Sequence, residues 1–247
     1  MMIRIRTILL TIVCVFSPVV LVVPPVMADA TADSQASEKD YVACCGVMKS
    51  IIDGYDHNDA AAVTALYYCK PGTDPKTVDA MGLILEWAVA DYRLTSAATS
   101  RFGVHGAMIQ TGLETDPATF LGVLSRISPQ NARASGNTLT ILPPSTTNSE
   151  GWPIYFVNAQ DGWKLDWTRT VRVTIRANRR KPIAGETSRQ TIAAAIHLLV
   201  NEFDAIADDI DKGNISDEAE AQRRVSAAWG DLDSQFRDFG VHSAKPH

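Results

Sequence analysis

Cysteine is scarce in this chain, with four in 247 residues, and neither a CxxC nor a His-x-x-x-His spacing accompanies them. Nothing in the sequence therefore supports a zinc or other metal site, and no cofactor is expected. Basic residues are also in short supply, 23 against 28 acidic ones, which excludes a general attraction for nucleic acid or anionic membrane. No internal repeat is present. Long apolar runs are absent except for one, Ile8 to Val26, which follows Arg4 and Arg6 and precedes Ala28 and Ala30. Charged, apolar and small-residue regions in that order read as a cleavable signal peptide over residues 1–30. Cleavage after Ala28 or after Ala30 fits equally well. The competing reading is an uncleaved anchor, because the run approaches the ~20 residues that span a bilayer. Pro18, Pro24 and Pro25 interrupt it and favour cleavage. Thr11-Ile12-Val13 before Cys14 lacks the small residue of a lipidation site. The expected location is secreted or periplasmic, with no membrane contact after cleavage. Losing the leader moves the formal charge from −5 to −6 and leaves about 217 residues, enough to bury a real core.

Three cysteines then remain, Cys44, Cys45 and Cys69. The stretch around them reads as two helices meeting at a turn near Asp56-His57. Cys44 and Cys69 lie 12 and 13 residues either side of Asp56, so antiparallel helices would bring them level. A Cys44–Cys69 disulfide is the candidate bridge in an oxidising compartment, and three buried thiols are the alternative.

Asp40 to Asp53 carries a helical period in Val42, Cys45, Val47, Met48, Ile51 and Ile52. Asn58-Asp59 caps a second helix, which Pro71-Gly72 ends. Asp74-Pro75 opens a third, with a stripe of Val78, Met81, Leu85, Trp87-Ala88 and Tyr92. The period then changes. Ser135-Gly136-Asn137 and Asp161-Gly162 mark the turns of two hairpins, and Val171 to Ala177 alternates as a further strand. Gly103 to Ser128 is ambiguous between a short helix around 118–125 and another strand. Helical period returns at Thr187, with Ile192, Ile196, Leu199, Phe203, Ile206 and Ile210 in one stripe. After Gly213 a new cap at Ser216 opens a seam of Val225, Trp229, Leu232, Phe236 and Phe239.

Helices followed by hairpins, with Ala132 to Thr140 alternating around Gly136 and the aromatic stretch Tyr155 to Trp167, resemble the nuclear transport factor 2-like, or SnoaL-like, superfamily. The resemblance implies an α+β cone fold: a curved antiparallel sheet wrapped by N-terminal helices over residues 38–180, with a helical hairpin over 187–241 appended. Members of that superfamily include isomerases, dehydratases, cyclases, polyketide-tailoring enzymes and non-catalytic binding or assembly modules. The enzymes use pocket carboxylates, tyrosines or histidines, none of which can be matched onto this chain, so no catalytic residue is carried over.

In a strand, Trp163, Leu165 and Trp167 share one face and Lys164 and Asp166 the other. The tryptophan face is expected to turn inward, with Tyr155 and Val157 as neighbours on the partner strand. Core filling is the default reading of such a row, and pocket lining the sharper one. Asp91-Tyr92 on the third helix is a candidate acid/base pair beside a cavity, against the ordinary reading of exposed helix polar groups. His57 and His105 read as solvated loop residues and His197 as a packed or edge histidine. Arg169, Arg172, Arg176, Arg179, Arg180 and Lys181 form a basic run that is either a solvated strand face or an anion or partner patch. Asp209 to Glu220 mimics a calcium loop, but its glycine falls at the fifth position, which excludes that reading.

Three functions fit. The first is an exported, non-catalytic module that binds a small apolar ligand or serves in assembly. The second is a lyase or isomerase working by proton transfer in the cone. The third is an interaction protein whose C-terminal helices or open sheet face make a homodimer.

Overall fold

A computed structural model describes residues 34–109, 111, 124–144, 153–166, 169 and 186–238. The expected signal segment, Trp167, the strand expected at 171–177 and the basic run beyond Arg169 lie outside the described residues. The chain is α+β and divides into two compact units.

The sheet unit holds a five-stranded antiparallel meander: β1 (Ser34–Gln35), β2 (Ala132–Ser135), β3 (Thr138–Ile141), β4 (Ile154–Ala159) and β5 (Gly162–Leu165), ordered as in the sequence. Both expected hairpins are present. The β2–β3 turn is Gly136-Asn137, with Gly136 at φ 58°, the conformation that a two-residue turn following the sheet's twist requires. The β4–β5 turn is Gln160-Asp161, one residue earlier than expected, and Gly162 opens the strand. Two helices precede the hairpins, α1 (Glu38–Asp56) and α2 (Ala60–Ala65). Ser37 caps α1 by accepting the Asp40 amide at 3.1 Å, and Asp59 caps α2 by accepting the Ala62 amide at 2.9 Å. The buried face of α1 is Cys44, Val47, Met48, Ile51, Ile52 and Tyr55, while Val42, counted in the expected stripe, is exposed.

The second helix stops at Ala65, short of the expected Pro71. The next residues pair with the edge of β5 instead: the Leu165 amide donates to Leu66 O at 2.9 Å and the Tyr68 amide to Leu165 O at 2.8 Å. Cys69 therefore lies beyond the helix, and the level placement opposite Cys44 that two antiparallel helices would give does not arise. No disulfide is present among the described residues, in which Cys44, Cys45 and Cys69 are thiols.

The helical unit contains α3 (Pro75–Phe102), a 3-10 turn (Gly103–Met108), α4 (Glu186–Asp211) and α5 (Glu218–Asp238). Its core joins Ala80, Trp87, Ala90, Leu94, Ala97 and Ala98 of α3 to Ile196, Leu199, Phe203, Ile206 and Ile210 of α4 and to Val225, Trp229 and Leu232 of α5. The sequence grouped α3 with the cone helices; it packs with the two C-terminal helices. Its contact face is largely alanine, which lets helices approach closely but leaves little hydrophobic period to read. Trp229 meets Trp87 edge-on at 5.7 Å between ring centroids, and its indole N–H donates to Thr111 O at 2.9 Å.

Candidate functional site

The β4–β5 hairpin organises the strongest concentration of chemistry in the sheet unit. A two-residue turn pairs odd-numbered positions with even-numbered ones, so Trp163 faces Asn158, Leu165 faces Phe156 and Lys164 faces Val157. Trp163 and Leu165 thus share a face with Phe156 and, across β3, with Leu139. Tyr155 and Val157, expected beside the tryptophans, lie on the opposite face with Lys164. The parity of the turn decides this, and it was legible once the turn length was known.

The Trp163 face is the apolar layer. Phe156, Leu139 and Leu165 are fully buried there, while Trp163 stands half-buried at its margin. Its indole N–H donates to Asp40 Oδ1 at 3.2 Å, which ties the rim of the sheet to the first turn of α1. Asp40 is itself held by the helix start, since Ser37 Oγ donates to Asp40 Oδ2 at 2.6 Å. Cys44 and Cys69 are poor nucleophiles. Burial pushes the Cys44 thiol far up, with Cys45 and the Asp40 carboxylate adding to it, and burial followed by Asp166 raises Cys69 against the opposing pull of Lys164. Tyr41 is pushed up to about 12 by burial and then by its hydrogen bond with Cys45.

The opposite face is polar. Arg133, Thr140 and Tyr155 form one row across β2, β3 and β4. Asp166, just past β5, is only 8% exposed; its backbone N–H donates to Tyr155 O at 2.7 Å. Asp166 Oδ1 accepts the Arg169 amide at 3.0 Å, and the Arg169 guanidinium lies over the Tyr155 ring, 5.7 Å from its centroid. Lys164 pairs with Asp161 at 2.6 Å and holds that carboxyl below its ordinary range. Sequence reasoning missed Arg133, which sits in the first hairpin without a distinguishing motif. It named Arg169 only as the start of the basic run.

In the helical unit, Asp91 is 4% exposed, and Tyr92 beside it is half-buried. Asp91 is thus a buried carboxyl and not the exposed helix group that is commonest at such positions. One turn before it, the Trp87 indole N–H is buried without a hydrogen-bond partner among the described residues. Asp91 and Tyr92 belong to the helical unit, whereas Tyr155, Val157, Trp163 and Leu165 belong to the sheet unit. His57 and His105 are solvated, as expected for turn residues, and His197 is an edge residue 3.2 Å from the Glu86 carboxylate. Among the described residues, no three His, Cys, Asp or Glu side chains cluster in a way that would hold a metal ion, and no helix is long and apolar enough to cross a membrane.

No protein-family model, no curated protein and no solved structure matches the chain.

Proposed function

We propose that the protein is an exported, non-catalytic module of the nuclear transport factor 2-like kind, binding a small apolar ligand at the Trp163 margin of the sheet or serving in assembly. In this reading the meander curves into a cone around that ligand, and the C-terminal helices are an addition to it. The observation that carries the proposal is the rim tryptophan. Its ring borders a fully buried layer of Phe156, Leu139 and Leu165, and its orientation is fixed by Asp40. An aromatic ring held in place at the edge of an apolar layer loses little freedom when a ligand covers it.

Native mass spectrometry of protein recovered from an oxidising compartment tests the reading. A co-purified small molecule that is retained by Trp163→Phe and lost from a folded Trp163→Ala variant is the expected result. An unadducted protein, with Trp163→Ala affecting stability alone, would leave Trp163 as core and remove the ligand. An unadducted dimer would favour assembly. The same intact mass locates cleavage at Ala28 or Ala30.

A second reading, proton transfer by a lyase or isomerase, is favoured by the two buried carboxyls, Asp91 and Asp166. Its test is turnover of a carbonyl substrate that is abolished by Asp91→Asn or Asp166→Asn with folding retained.

A further inference from the structure

We propose that the polar face of the sheet binds a small organic oxyanion, a carboxylate or a phosphate, between Arg133 and Arg169. The site stands apart from the apolar one, because strand pairing puts it on the other side of the same hairpin.

Arg133 is held by hydrogen bonds before any ligand arrives, and Arg169 is oriented by looser contacts. Arg133 Nη1 donates to Gln35 Oε1 at 2.8 Å, to Gln130 O at 2.9 Å and to Ala132 O at 3.1 Å. Gln35 is in turn anchored through its amide nitrogen to Pro129 O. Arg169 is held differently, by the Tyr155 ring beneath it and by Asp166, whose Oδ2 lies 3.9 Å from Nε. That leaves Nε and Nη2 of Arg133, and both terminal nitrogens of Arg169, with no protein partner among the described residues. The Thr140 hydroxyl, on the strand between Arg133 and Tyr155, has none there either.

Strands lie about 4.8 Å apart, so Arg133 and Tyr155 stand roughly 10 Å apart with Thr140 midway. Arg133, Thr140 and the Tyr155 ring that carries Arg169 therefore occupy three adjacent strands of one face. Ordering a long arginine side chain normally costs up to about 2 kcal/mol of rotamer freedom, and here the fold has already ordered Arg133. Guanidinium forks with free N–H groups match the paired oxygens of carboxylate and phosphate. The local character is cationic despite the net charge of −5. Asp161 compensates Lys164 on this face, and Asp166 compensates Arg169 in part, from a distance too long for a hydrogen bond. Two cationic groups carried on strands two apart suit a ligand with two anionic groups joined by a short carbon chain.

The test titrates the full chain with succinate, glutarate, adipate and inorganic phosphate by calorimetry, with amide NMR shifts recorded alongside. Saturable binding with an optimum chain length is expected, with shifts centred on the Arg133, Thr140 and Tyr155 amides. Arg133→Gln and Arg169→Gln should each weaken it about tenfold or more. Arg169→Lys should weaken it as well, because the charge remains but the fork is lost, whereas Lys49→Gln, at an exposed position of α1, should leave it unchanged. A phosphate-only response would identify the oxyanion as phosphate, and a dicarboxylate optimum would identify it as carboxylate. No saturation by any of the four anions, shifts centred elsewhere, or equal weakening by Lys49→Gln would overturn the proposal. None of these outcomes bears on an apolar ligand beside Trp163.

Discussion

A methyl group added at Gly106 would lie 1.9 Å from the Ala98 carbonyl oxygen and 2.7 Å from the Thr99 amide nitrogen. Backbone atoms cannot swing aside as a side chain can, so Gly106→Ala should destabilise the protein by about 1–3 kcal/mol. Gly82, within α3, has nothing within 4 Å of the same added atom. Gly82→Ala should therefore stabilise by about 0.5–1 kcal/mol, through helix propensity alone. Urea denaturation of both variants checks the pair, and equal effects would contradict the packing described for the 3-10 turn. The tie between Trp163 and Asp40 belongs to this scale too. Trp163→Phe keeps most of the ring and loses one hydrogen bond, so it should cost about 1 kcal/mol in the same experiment.

Between elements, the α3–α4 contact is fastened by Arg93, whose guanidinium donates to Asp204 at 2.8 Å and also to Asp208. Lys212 bonds Asp208 at 2.9 Å, and Arg224 of α5 bonds Asp209 at 2.5 Å. Asp208 is held below its ordinary pKa by Lys212 and then Arg93, and Asp209 by Arg224 and then Asn214. A carboxyl whose folded pKa is depressed stabilises the fold above its unfolded value of about 3.9, and that contribution disappears as pH falls through the lower folded value. The melting temperature should therefore drop below about pH 4, and Asp208→Asn should flatten that drop while lowering stability at pH 7. Melting curves between acid and neutral pH, repeated at high salt to screen the exposed pairs, measure both effects. The Arg93 and Arg224 pairs were not legible in the sequence, because each joins residues whose proximity depends on how helices pack, whereas Asp208 and Lys212 are neighbours four residues apart. The strands and turns were legible for the opposite reason. Glycine at a two-residue turn and alternation around it are local signals, and they located both hairpins to within a residue. What went unread was which residues of β4 face Trp163: the odd–even pairing of any two-residue turn sets Tyr155 and Val157 on the other side.

At the scale of the whole molecule, removing everything after residue 184 strips α3 of both its partners. Trp87, Leu94 and the alanine face of α3 would then meet water, and the truncated protein should aggregate. A soluble monomer on size-exclusion chromatography would instead mean that the C-terminal helices serve to join copies of the chain. The apolar stripes of α4 and α5 were readable at intervals of three and four residues; the small-residue face of α3 that receives them was not. That arrangement also governs the order in which the chain can fold. About 80 residues separate the end of α3 from the start of α4, so during synthesis α3 emerges long before the helices that cover it. Its core face must wait for α4 and α5, which complete the unit. Until α5 has emerged, the α3 face is open to protease and to aggregation, and protease resistance of this unit is expected only after that point.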